Sequence, residues 1–204
     1  MCSAGRATST LLSVARSVEI CYVGRIMKHD FRQLIDRVYI ARRDASPDDA
    51  HELATDALEL ARGQTDPELL VRALMAKGQI YRDEHEFQRA ERLYVEAANL
   101  CRREDVGPLV TAHVTRHLGD VTVELGRFGL AKTHYEDALD LYRSIEDIPP
   151  DTLANGIRAL ARIYDWLDDH NEAVDYWREA RDLYASARNA NRVEECERRL
   201  NGAG

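Results

Sequence analysis

With 204 residues, of which 45% are hydrophobic and 31% charged, and with only 5 Pro and 11 Gly, the chain has the length of one ordinary domain and the profile of a helical soluble protein. Its formal charge of −8 argues against a nucleic-acid-binding surface as the default. No apolar run approaches about 18 residues, which excludes a membrane-spanning helix.

Residues 1–26 hold two of the four cysteines, three Arg and one Glu, and stand apart from the rest of the chain. The apolar stretch Leu11-Leu12-Ser13-Val14-Ala15 is short and Arg16 breaks it, so it is a poor secretory signal. Two readings stay open: an organelle transit peptide, against which Glu19 and the length speak, and a non-native leader, with translation starting at Met27.

From Met27 on, the punctuation predicts helices near 30–43, 48–62, 67–83, 86–103, 108–125, 128–146, 151–167, 170–187 and 190–201, and no pattern of strands. Ser46-Pro47 offers an N-cap with Pro in the first turn, and Gly63 stops that helix. Thr65-Asp66-Pro67 repeats the device, Gly107-Pro108 opens another helix, and Pro149-Pro150-Asp151 separates the last two repeats. In the last helix only Val193, Cys196 and Leu200 make an apolar stripe, as expected of a cap on a stack of repeats.

These helices carry one block three times: Gly78-Tyr81-Ala90-Tyr94-Ala97, Gly119-Thr122-Ala131-Tyr135-Ala138 and Ala161-Tyr164-Ala173-Trp177-Ala180. A fainter copy, Val38-Ala41-Ala50-Ala54-Ala57, precedes them, and the offsets are 40, 41 and 42 residues. The small residue and the Tyr or Thr lie about one turn apart, and Ala, aromatic and Ala share one face of a second helix. Small residues let two helix axes approach, and the aromatic fills the space beside them. Each copy therefore reads as a helix–turn–helix hairpin, and recurrence at this period predicts a stack of such units. The same recurrence makes the aromatic residues core rather than a cofactor box.

The block resembles the tetratricopeptide repeat. The third copy, HLGDVTVELGRFGLAKTHYEDAL (residues 117–139), fits that pattern in its Leu-Gly, Ala, Tyr and Ala positions, and the second, KGQIYRDEHEFQRAERLYVEAANL, keeps Gly, Tyr, Ala, Tyr and Ala. The period exceeds the family's usual one of about 34 residues, which looks like the longer-helix subclass found in cargo adaptors and bacterial regulators. The resemblance covers roughly residues 30–188. It implies an all-α fold, a right-handed α-solenoid of four hairpins with a C-terminal capping helix. The expected organisation is a non-repeat segment 1–26, repeats over 27–188 (about 30–64, 67–106, 108–148 and 151–188), and a capping helix and tail over 189–204.

Little else in the chain suggests chemistry. Cys2, Cys21, Cys101 and Cys196 have neither metal-like nor redox-like spacing and read as small buried hydrophobes in a reducing, cytoplasmic compartment. His113, His117, Asp120 and Glu124 recur on one helix face, where two His a turn apart could bind zinc. The zinc-protease pattern needs Glu directly after the first His, where this chain has Val114, and a solvated helix face explains the same spacing, so no metal is assigned. His85 and His170 occupy equivalent polar turns. No nucleophile elbow, phosphate loop or dinucleotide fingerprint is present, so neither an enzyme nor a cofactor is indicated.

The resemblance implies that the first helix of each hairpin lines a concave groove for extended peptides or single helices. Counting from the small residue at helical spacing, the groove positions are Arg32, Ile35 and Tyr39; Arg72, Met75 and Gln79; His113, Arg116 and Asp120; and Asn155, Arg158 and Arg162. Five of the twelve are Arg and one is acidic, in a chain with 36 acidic and 28 basic residues. The Arg fork suits carboxylates, so the expected partner is an acidic peptide, bound by Arg72, Gln79, His113, Arg116, Asp120, Asn155, Arg158 and Arg162. The competing reading pairs these Arg with Asp36, Asp83, Asp120 and Glu124 of neighbouring helices. Other functions from different classes are a regulatory sensor of a small ligand or signalling peptide and a self-associating scaffold. Neither nucleic acid nor membrane is expected as a partner.

Overall fold

A computed structural model describes residues 29–202. Its helices are α1 (29–43), α2 (Pro47–Arg62), α3 (Pro67–Asp83), α4 (Phe87–Arg103), α5 (Pro108–Glu124), α6 (Phe128–Arg143), α7 (Pro150–Trp166), α8 (His170–Ser186) and α9 (Ala190–Gly202). Expectations about residues 1–26, with Cys2 and Cys21, lie outside the described residues. The expected helix limits agree to one residue except at α6, which ends at Arg143 rather than at 146. There Ser144 Oγ donates to the Leu141 carbonyl at 2.7 Å and Asp147 turns to φ 56°, while Pro149 and Pro150 bar any continuation.

The N-termini are set as the punctuation suggested, with one correction. Asp66 accepts from the Glu68 N–H at 3.1 Å, and Pro67, Pro108 and Pro150 each open a helix where the N–H has no helical partner. Ser46 occupies the N-cap place of α2, but its hydroxyl donates to Asp49 Oδ2 at 2.6 Å and caps no backbone N–H.

Six turns share one closure. Ala45, His85, Asp105, Gly126, Asp168 and Arg188 take φ between 50° and 72°. The next residue in each case (Ser46, Glu86, Val106, Arg127, Asp169, Asn189) sends its N–H back five residues to a helix carbonyl at 2.8–3.2 Å. Three of those carbonyls belong to Tyr81, Thr122 and Tyr164, the second position of the repeated block.

The block residues form the core. Ala90, Ala131, Ala161, Tyr94, Tyr135 and Trp177 are all buried, as are Val38, Ala41, Ala50, Ala54 and Ala57 of the faint first copy. Among the described residues the backbones of α3 and α5, and of α5 and α7, approach closely, whereas those of α4 and α6 and of α6 and α8 do not; α6 and α8 are linked through the Arg143–Glu179 ion pair at 3.0 Å. The first helices of the hairpins therefore form the inner layer and the second helices the splayed outer layer of an all-α solenoid. α9 closes the end: Cys196 is fully buried, and Val193 and Leu200 pack on the cluster that holds Trp177, Ala180 and Tyr184. Cys101 and Cys196 are unbridged; burial raises both thiols, Cys196 to about 11 with help from Glu195.

Candidate binding groove

The inner layer holds two adjoining cavities of about 670 and 470 Å³ that share Arg116 and His117. The larger takes Arg32, Ile35, Tyr39, Arg72, Met75, Gln79, His113 and Arg116 from α1, α3 and α5. The smaller takes Arg116, Asp120, Asn155, Arg158 and Arg162 from α5 and α7. Between them they are lined by all twelve groove positions expected from the register, because positions at equal places in stacked hairpins fall in line on one face. Phe31, Leu69 and Val110 give the larger cavity an apolar floor, whereas the smaller is dominated by charge.

Asp120 organises the middle of the groove. It accepts from Arg82 Nη1 at 3.0 Å, Arg116 Nη1 at 3.1 Å, His117 Nδ1 at 3.1 Å and Tyr135 Oη at 2.9 Å. Burial alone would raise its pKa, but the His117 hydrogen bond and the Arg116 and Arg82 guanidinium groups outweigh it and hold the carboxyl far below the usual range. Burial, reinforced by Arg116, lowers His117 to about 4 and keeps it neutral. Its Nδ1–H then donates to Asp120, leaving Nε2 to accept from Arg116 Nη2 at 3.1 Å and Gln79 Nε2 at 3.2 Å. The ring stacks on Tyr94, with centroids 5.7 Å apart. His113 is likewise lowered to about 4 by burial, Arg116 and Arg72, and its ring lies 5.6 Å from Tyr142. Among the described residues no group of three or more His, Cys, Asp and Glu side chains could hold a metal ion.

Ion pairs run along the groove from one hairpin to the next. Arg42 of α1 reaches Asp83 of α3 at 2.7 Å, Arg82 of α3 reaches Asp120 of α5, and Arg158 of α7 reaches Glu195 of α9 at 3.0 Å. Among the described residues none spans α5 to α7. Val123 stands there in the register place of Arg42 and Arg82, and the smaller cavity opens at that step.

The expected site residues thus have unequal freedom. Arg116 and Arg158 are mostly buried and paired with Asp120 and Glu195. The carboxylate of Asp120 is taken by four donors of its own chain, and Asn155 Oδ1 accepts from Tyr184 Oη at 2.8 Å. Gln79 is buried between Arg42 and His117. Arg72 is half-exposed and paired with Glu68 one turn away at 2.7 Å. Arg162 makes no ion pair among the described residues; its guanidinium lies 5.2 Å from the Trp166 ring centroid. Arg82 and Arg192 also line the smaller cavity and were not among the expected residues. Carrying the Arg42 register forward by one copy would have found Arg82; Arg192 comes from the cap and has no repeat signal.

A family model described as the tetratricopeptide repeat matches residues 69–144. No curated protein matches the chain. Among solved structures, BtubC (BKLC) from P. vanneervenii is similar with a TM-score of 0.70 at 17% identity, over 96% of this chain and 88% of that one. A tetratricopeptide-repeat sensor protein of the signal-transduction ATPase class from Pyrococcus horikoshii gives 0.69 at 14% identity, over 87% of this chain but only 27% of that one. A putative kinesin light chain repeat protein from Podospora anserina gives 0.62 at 12% identity, over 85% and 94%. At these identities the likeness shows the fold alone.

Proposed function

Since residues 69–144 make this chain a member of the tetratricopeptide repeat family, we propose that it is a non-enzymatic interaction module that binds an acidic peptide segment in its concave groove. The repeat is in general a protein-interaction fold; the acidity of the partner is the further step. One observation carries it. In a chain of net charge −8, the smaller cavity is lined by Arg82, Arg116, Arg158, Arg162 and Arg192 against Asp120 and Glu124. Arg116 and Arg158 already have carboxylate partners, so they contribute field and shape. Arg162 is the direct ligand, joined at the other end of the groove by Arg72, whose pair with Glu68 is half-exposed and can be exchanged for a peptide carboxylate. Each charge-assisted hydrogen bond to a peptide carboxylate contributes roughly 1.5–3 kcal/mol, less where solvent screens it.

The test is fluorescence anisotropy of a labelled Glu-rich peptide. Replacing Arg72 and Arg162 together with Gln is expected to weaken binding at least tenfold and leave the helical spectrum unchanged, and wild-type affinity should fall as salt rises. Equal binding by the two proteins at low and at physiological salt overturns the reading. A second reading, a sensor whose small ligand alters the superhelix, rests on the larger cavity, whose volume and mixed lining suit a small molecule. In that case small molecules raise the melting temperature equally in wild type and in the Arg162→Gln variant.

A further inference from the structure

The junction of the third and fourth hairpins exposes an apolar patch larger than the repeat itself requires. Phe128, Leu130, Trp166 and Leu167 are 38, 47, 44 and 42% exposed, and the Phe128 and Trp166 rings lie 5.5 Å apart. Trp166 stands five residues after Ala161; five residues after Gly78 and Gly119 the chain has Asp83 and Glu124. Leu130 stands where the second copy has Arg89 and the fourth has Glu172. Hairpin packing is thus satisfied by charged residues at the places of Trp166 and Leu130, whereas Phe128 and Leu167 stand where other copies have Phe87 and Leu125; the large apolar groups at the first two places extend the second two into an interaction surface.

Charge indicates what covers it. Arg162 lies one turn before Trp166, with its guanidinium over that ring, and also lines the Arg-rich cavity, so patch and cavity are continuous. On the other side Lys132, one turn after Phe128, sits 4.4 Å from the Tyr164 ring centroid and shares its charge with Glu136 at 3.8 Å. Among the described residues Arg162 is the cation of the smaller cavity left without a carboxylate. An apolar segment flanked by acidic residues covers the rings and pairs with that cation, whereas a neutral or basic one would desolvate Arg162 with nothing in return.

We infer that this patch is a second contact for the groove's partner: Phe128, Leu130, Trp166 and Leu167 receive an apolar side chain of a peptide whose acidic residue pairs with Arg162. The inference rests on the groove reading and adds a requirement to it, namely an apolar anchor beside the acidic residues. Burying one large apolar side chain against the rings is worth about tenfold in affinity.

The experiment compares fluorescein-labelled peptides of Glu, Gly and Ser with the same peptides carrying one Phe stepped through every position, by anisotropy at low salt. At one or more positions the Phe peptide is expected to bind wild type about tenfold more tightly than its Phe-free parent. Phe128→Gln should remove that gain and leave the parent's affinity within about twofold; Trp166→Gln, which also frees the Arg162 guanidinium from its ring, should likewise remove the gain, judged against the same variant's affinity for the parent, while Arg162→Gln weakens both peptides. If the parent binds through Arg162 but no Phe position improves on it, or the gain survives both patch variants, this inference is overturned and the groove reading stands. If no peptide binds at all, both fall. Concentration-dependent self-association that is lost in Trp166→Gln, and that the Phe peptides do not displace, assigns the patch to a second copy and likewise overturns the inference.

Discussion

A missing methyl group decides how closely the two helices of the third hairpin meet. A Cβ on Gly119 would lie 2.6 Å from Tyr135 Cε1, and one on Gly78 would lie 2.9 Å from the Tyr94 ring. Both rings are buried, so neither can step aside. Gly→Ala in a helix ordinarily gains about 0.5–1 kcal/mol. Here Gly119→Ala is expected to cost about 1–3 kcal/mol from overpacking, read as a lower urea midpoint at unchanged m-value. Titration is the other residue-scale lever. His117 is held neutral down to about pH 4, against an ordinary value of 6.5. Its contribution to stability is therefore complete above pH 6.5 and is lost as pH falls from 6.5 towards 4, and His113 acts in the same sense. Asp120, held low, adds a loss only below about 3.8. Stability should be flat from pH 7 to 8 and fall by on the order of 3 kcal/mol from His117 alone by pH 4. Denaturation midpoints across that range check this, and His117→Gln should flatten the slope.

At the scale of the element, the turns carry a strain that most of their residues do not relieve. Six of them need a left-handed residue before the closing N–H, yet only Gly126 is glycine; Ala45, His85, Asp105, Asp168 and Arg188 take the same conformation with a Cβ. Arg188→Gly, between α8 and α9, is expected to stabilise by about 1 kcal/mol, since the relief of about 1–2 kcal/mol is partly offset by a more flexible unfolded chain. Gly126→Ala should lose a similar amount, and thermal melts of the two variants should move in opposite directions. The loop after α6 departs from the pattern: its left-handed residue, Asp147, comes four residues beyond Arg143, and after Ile148 come two prolines. A helical pattern that continues through Ile145 does not reveal that stop, which is why the expected end overran.

For the molecule as a whole, each helix meets only its near neighbours in the chain, so among the described residues no contact joins one end of the stack to the other. At the C-terminal end α9 covers Trp177, Ala180 and Tyr184 and supplies Glu195 to Arg158. Truncation after Asn189 should expose that cluster, leave Arg158 unpaired and promote aggregation. Light scattering and sedimentation check this; a truncated protein as monomeric and stable as the full chain would count against a capping role. The amino-acid sequence by itself determined the helices, the hairpin period, the buried aromatic residues and the line of groove positions. All of these follow from spacing within a single helix or from recurrence at one period, and both survive projection onto a string. Only the tertiary structure decided which groove residues are free. Arg82 meets Asp120 across 38 residues and Arg158 meets Glu195 across 37, and each first helix is joined to the next by such pairs except where Val123 breaks the series. It also decided that Gly156 receives Tyr142 of the preceding hairpin, 2.8 Å from where a Cβ would lie, a contact between copies that no repeat within a copy encodes. Likewise Phe128 and Trp166, 38 residues apart and without a shared signal in the string, meet as one exposed patch because adjacent hairpins bring their turns side by side.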